Sequence, residues 1–122
     1  MPGKPRSLPI RSGTGNLDAI EYEILQEKAA ALSRFGKRLE QALDALRAFD
    51  ARQPGGAAMS AEDLRERQTL VNAAGEALWY FVVQREVCGL RDNEAVLREY
   101  GVSREVWLRM GYFPSGTGMQ AR

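Results

Sequence analysis

The chain has 122 residues, enough for one domain with a modest core. Hydrophobic residues make up 44 % and charged residues 27 %, a soluble globular balance, and a net charge of +1 excludes a global pull toward nucleic acid or an anionic membrane. There is no histidine and a single cysteine, Cys88, which removes the commonest general base and zinc ligand, any intramolecular disulfide and any thiolate cluster.

Residues 1–16, MPGKPRSLPIRSGTGN, hold three prolines, three glycines and few apolar residues, and read as a flexible tail. Lys4, Arg6 and Arg11 give it a charge of +3 with no acid. It lacks the apolar stretch of a secretory signal. The longest apolar run, Ala77 to Val83, has seven residues, against the roughly 20 a membrane span needs. The expectation is a cytoplasmic protein without a membrane partner.

A long helix is predicted over 18–49. Leu25, Leu32, Leu39 and Leu46 recur every seven residues, with Phe35, Ala42 and Phe49 as a second row of the same stripe. Asp18 is the expected cap, Leu17 is placed to staple onto Tyr22, and acids early with bases late suit the helix dipole. Pro54-Gly55-Gly56 marks a turn. Ser60 caps a second helix whose rows are Leu64, Val71, Leu78 and Ala74, Phe81, Cys88, and Gly89 ends it. Asp92 and Ser103 cap two short helices, ended by Gly101 and Gly111. Residues 112–122 read as a second flexible tail, which leaves 17–111 as a single helical domain.

The short connection folds the long helices into an antiparallel hairpin. A turn near residue 55 makes facing residues sum to about 110, so that Leu46 meets Leu64, Leu39 meets Val71 and Leu32 meets Leu78. The same register sets Ala29-Ala30-Ala31 level with Trp79-Tyr80-Phe81, and Gly36 level with Gly75 as a point of close backbone approach. Leu43, Leu70, Trp79, Tyr80 and Val83 fall off the inner seam and form a candidate interaction surface. A second copy of the chain is the simplest cover for it, giving a homodimer in the form of a four-helix bundle.

Arg85 continues the Leu64, Val71, Leu78 row; turned inward, its guanidinium calls for a carboxylate, with Glu21, Glu86 and Asp92 as candidates and Glu21 the pair adopted, and the alternative is an arginine that snorkels off the end of the bundle. Cys88 reads as a small buried hydrophobe, and Glu21, Glu23 and Glu27 as a solvated, dipole-favoured turn. No metal, cofactor or catalytic residue is expected.

The stretch REYGVSREVW, Arg98 to Trp107, has the form of a helix-turn-helix corner. With Gly101 as its turn, the positions that should be apolar are Val96, Tyr100, Val102, Trp107 and Met110, and all are. Against DNA reading stand Leu97 where a small residue usually sits, a second helix of about seven residues, and a balance of four bases with four acids over 89–111. A DNA-binding regulator using the corner at 93–110, with Arg104 and Arg109 as contacts, is the alternative to a non-enzymatic protein working through protein–protein contact or self-association.

The segments EYEILQEK (Glu21–Lys28), EALW (Glu76–Trp79), FVVQRE (Phe81–Glu86) followed by CGLRD, and YGV (Tyr100–Val102) resemble a family of short, uncharacterised proteins from proteobacteria. The resemblance covers about 18–111. It implies a compact all-helical protein of a bacterial cytoplasm and no catalytic residues to carry over.

Overall fold

The computed structural model describes residues 8–55 and 58–110, with side chains from Gly15 onward. Among the described residues the chain is all-helical: α1 (Leu8–Arg52), α2 (Ala61–Val87), α3 (Asn93–Glu99) and α4 (Arg104–Leu108). Residues 1–7, Gly111 and the 112–122 segment expected to be a tail lie outside the described residues.

α1 has 45 residues and starts ten residues before Asp18, so the stretch 8–16 expected to be tail is helix and Asp18 is no cap. Pro9 stands in the first turn, where a proline's fixed φ and missing N–H suit a helix start. Leu17 and Tyr22 therefore lie inside the helix, both exposed, and make no staple across its end. The three later caps are where the sequence puts them: Ser60 accepts from Asp63 N, Asp92 from Ala95 N and Ser103 from Val106 N. Gly89 and Gly101, at φ 85° and 63°, take the left-handed conformation that ends α2 and α3. Each closes with the same paired bonds, Leu90 N to Arg85 O with Gly89 N to Glu86 O, and Val102 N to Leu97 O with Gly101 N to Arg98 O.

α1 and α2 form the antiparallel hairpin, in a register shifted from the expected one. Arg67 meets Asp50, Tyr80 stacks on Phe35 with centroids 5.9 Å apart, and the Cys88 thiol reaches the Lys28 carbonyl at 3.9 Å. Facing numbers thus sum to about 116. The reason is the connection: α1 runs on to Arg52 and α2 waits until Ala61, which places the turn beyond Gly55. Leu64 falls at the open mouth of the hairpin, 54 % exposed, while Leu70 moves against the core. Trp79-Tyr80-Phe81 lies level with Phe35-Gly36-Lys37 and not with the three alanines.

The paired-glycine expectation is likewise corrected. Gly36 makes room for the Tyr100 hydroxyl and the Phe81 ring, and Gly75 for the backbone of Arg109. The glycines admit the C-terminal corner, not each other. Among the described residues the buried hydrophobic side chains are Leu39, Leu43, Leu46, Phe49, Val71, Ala74, Ala77, Leu78, Phe81 and Val82 from the hairpin, with Val96 and Val106 from the short helices.

Candidate interaction surface

Two arginines fasten the α3–α4 corner to the hairpin. Arg47 of α1 donates through Nη2 to the carbonyls of Tyr100 (2.7 Å) and Gly101 (3.1 Å), satisfying acceptors left open where α3 ends. Arg67 of α2 holds Asp50 of α1 and Glu105 of α4 at once. These hydrogen bonds push the Arg67 pKa up. The same guanidinium holds the Asp50 carboxyl below its ordinary range.

The corner packs as the helix-turn-helix match expects only in part. Val96 is buried, and Tyr100, Val102 and Met110 pack on the core, but Trp107 turns outward at 41 % exposed and Val106 takes the inner place. α4 has five residues. Arg104 is exposed, whereas Arg109 is half-buried with its backbone against Gly75.

Arg85 has no carboxylate partner of the kind expected. Its Nη2 donates to the Asp92 backbone carbonyl at 3.0 Å, its guanidinium lies 6.0 Å from the Phe81 ring centroid, and the Asp92 carboxylate is spent on capping α3. Level with Ala31 in the observed register, Arg85 stands about 15 Å along α1 from Glu21. Its Nε and the nearby Asn93 Oδ1 are buried polar atoms without a protein partner.

Of the residues assigned to an interaction surface, Leu43 is 3 % exposed and belongs to the core, covered by the α3–α4 corner. Leu70 is half-buried against that core. Trp79, Tyr80 and Val83 are half-buried, with Trp79 edge-on to Tyr80 and Arg38 over the Tyr80 ring at 5.3 Å. The large exposed apolar surface lies elsewhere. α2 ends level with Lys28, so α1 continues for about 30 Å with no other helix beside it among the described residues. On that overhang Leu17, Ile20, Ile24 and Leu25 are 60, 52, 48 and 62 % exposed.

The heptad row records where the cover stops: Leu46 and Leu39 are buried, Leu32 is half-buried and Leu25 is exposed. At the root of the overhang a groove of about 430 Å³ runs between Ile20, Ile24, Lys28 and Ala31 of α1 and Gln84 of α2. Sequence reasoning missed this surface because it began the helix too late and so made the two long helices nearly equal. The signal available was Pro9, a proline placed as at a helix start.

A second recess, about 480 Å³, lies between Glu40, Asp44 and Arg47 of α1 and Glu99 and Tyr100 of the corner. Arg47 already serves the corner carbonyls there. The Tyr100 phenol is pushed above its usual range by burial and by the nearby Glu40 and Glu99 carboxylates. Among the described residues no three or more acids and thiols gather as a metal site, and no helix is long and apolar enough to cross a membrane.

No curated protein and no solved structure matches the sequence. The match to a known family extends past both ends of the segment that carried the resemblance: the chain belongs to the family of unknown function DUF6665, whose profile spans residues 9–118.

Proposed function

We propose that this is a non-enzymatic protein that works by protein–protein contact, and that the contact is made by the overhanging part of α1. The observation behind this reading is the run Leu17, Ile20, Ile24 and Leu25, which continues the hairpin's apolar stripe beyond the end of α2. Burying a large aliphatic side chain is worth about 1.5–3 kcal/mol, so a stripe of four left half open or more is a strong reason to associate. The absence of histidine from the sequence supports binding over acid–base chemistry.

A homodimer in the form of a four-helix bundle draws on less surface. Its expected contacts have lost Leu43 to the core and keep Leu70, Trp79, Tyr80 and Val83, all half-buried.

The test is site-specific photocrosslinking in the native host, with the reactive side chain at Ile24 and a control on the hairpin at Arg65, which is exposed. An adduct at 24 and none at 65 is the expected result. No adduct at 24, or equal labelling at both, would remove the overhang as a contact surface.

A further inference from the structure

We infer that the α3–α4 corner is a lid: it opens and closes on the hairpin as one unit, hinged at residues 89–91 and latched by Arg47. The two short helices have seven and five residues, whereas a helix needs about 12–15 to persist in water by itself. Their order therefore comes from docking, and they lose it together when docking is lost. α1 and α2, with 45 and 27 residues, share contacts that involve no residue of the corner, the Phe35–Tyr80 stack and the bond from the Cys88 thiol to the Lys28 carbonyl. The hairpin has a seam of its own to keep when the corner leaves.

The attachment is concentrated in one place. Arg47 Nη2 donates to the carbonyls of Tyr100 and Gly101, and Arg67 Nη1 donates to Glu105, so both arginines grip the joint between α3 and α4. One movement at that joint breaks all three bonds, which makes the opening cooperative. At the other end of the corner the chain has room to turn. Gly89, Leu90 and Arg91 are exposed, and nothing lies within 4 Å of a side-chain carbon built at Gly89. Where α3 meets the end of α2, Arg85 Nε and Asn93 Oδ1 are buried with no protein partner, a cost of the closed state that opening relieves.

Under the lid lies an apolar trough in the hairpin. Leu43 shares a recess with Val106, the Phe81 ring stands edge-on to Tyr100 at 5.3 Å, and Gly36 and Gly75 are the shallow steps that seat the Tyr100 hydroxyl and the Arg109 backbone. Closed, the corner fills this trough with its own side chains; open, it bares the trough to solvent.

The test is amide hydrogen exchange followed by NMR on the full chain, parent and Arg47→Ala, under conditions where exchange reports equilibrium opening. The amides of Tyr100, Val102 and Trp107, bonded within the corner to the carbonyls of Val96, Leu97 and Ser103, report the lid. Those of Leu39 and Leu78, whose residues are fully buried in the hairpin, report global unfolding. In the parent the three corner amides should share one opening constant, larger than that of Leu39 and Leu78 by about tenfold or more. Arg47→Ala should raise that shared constant on the order of tenfold and leave the hairpin pair unchanged.

Corner amides as protected as Leu39 and Leu78 in the parent would make the chain one cooperative block and overturn the inference. Different constants at Tyr100 and Trp107 would overturn it too, since α3 and α4 would then move separately. So would an Arg47→Ala chain whose corner and hairpin amides accelerate together, or whose corner amides do not accelerate at all.

Discussion

Arg67 grips Asp50 through two parallel hydrogen bonds, Nε to Oδ1 at 2.8 Å and Nη2 to Oδ2 at 3.1 Å, while its remaining nitrogen reaches Glu105 at 2.8 Å. One side chain of α2 thereby ties the last turns of α1 to the start of α4. Only the planar fork of arginine serves two carboxylates in this way. Replacing Arg67 by Met should cost about 1–2 kcal/mol, and Arg67→Lys should recover less than half of it. Double-mutant cycles with Asp50→Asn and Glu105→Gln, read by urea unfolding, are expected to show coupling to both partners. Coupling to Asp50 alone would mean that α4 is not held by this residue.

The glycine contacts make a prediction of their own. A Cβ at Gly75 would lie 2.8 Å from the Arg109 carbonyl oxygen, a backbone atom that cannot swing away. Gly75→Ala should therefore destabilise by about 1–3 kcal/mol, outweighing the gain of up to ~1 kcal/mol in helix propensity. At Gly36 the nearest obstacle is the Tyr100 hydroxyl at 3.0 Å. Gly36→Ala should be less harmful, and milder still in a Tyr100→Phe background. As the glycines face different partners, the two alanine substitutions should add; strong coupling between them would restore the idea of a direct helix–helix approach there.

The leucine row separates core from overhang. Leu39→Ala empties a site that is 0 % exposed and should cost about 2–5 kcal/mol. Leu25→Ala, two heptads earlier on the same row, should change the stability of the dilute chain by less than about 0.5 kcal/mol. A large loss at Leu25 in dilute solution would show that something within this chain covers the overhang.

Stability should fall at both ends of the pH scale for identifiable reasons. Asp50 is held below its ordinary pKa of 3.8, chiefly by the Arg67 hydrogen bonds. A carboxyl lowered by folding adds stability above its unfolded pKa and loses it as pH falls through the folded one. The parent should therefore lose more stability below about pH 4 than Asp50→Asn does. Tyr100 is raised above its ordinary 10.0, first by burial and then by Glu40 and Glu99. That contribution is present below pH 10.0 and lost as the pH rises through the folded value, so Tyr100→Phe should flatten the alkaline limb. Parallel acid limbs in parent and Asp50→Asn would discount the carboxylate as a source.

A gel shift at two salt concentrations addresses the corner. With a five-residue α4 and Glu105 committed to Arg67, we expect no retarded band that weakens steeply with salt. Such a band, lost on Arg104→Ala, would establish the corner as a DNA contact.

What the sequence determined by itself was local: the all-helical class, the two long apolar rows, the Ser60, Asp92 and Ser103 caps, and the glycine ends at 89 and 101. Each depends on residues within a few positions of one another, where hydrogen-bond geometry and 3.6-residue periodicity leave little choice. The tertiary structure decided what lies between distant residues. A heptad row reads the same at Leu25 as at Leu39, and only the end of α2 beside Lys28 makes one exposed and the other core. Leu43 and Leu64 exchanged their expected roles because a few residues of turn length moved the register and the α3–α4 corner folded back over α1. Arg85 found a backbone carbonyl, an acceptor the sequence did not single out, since every peptide group is an acceptor and spacing along a chain cannot say which one will come near.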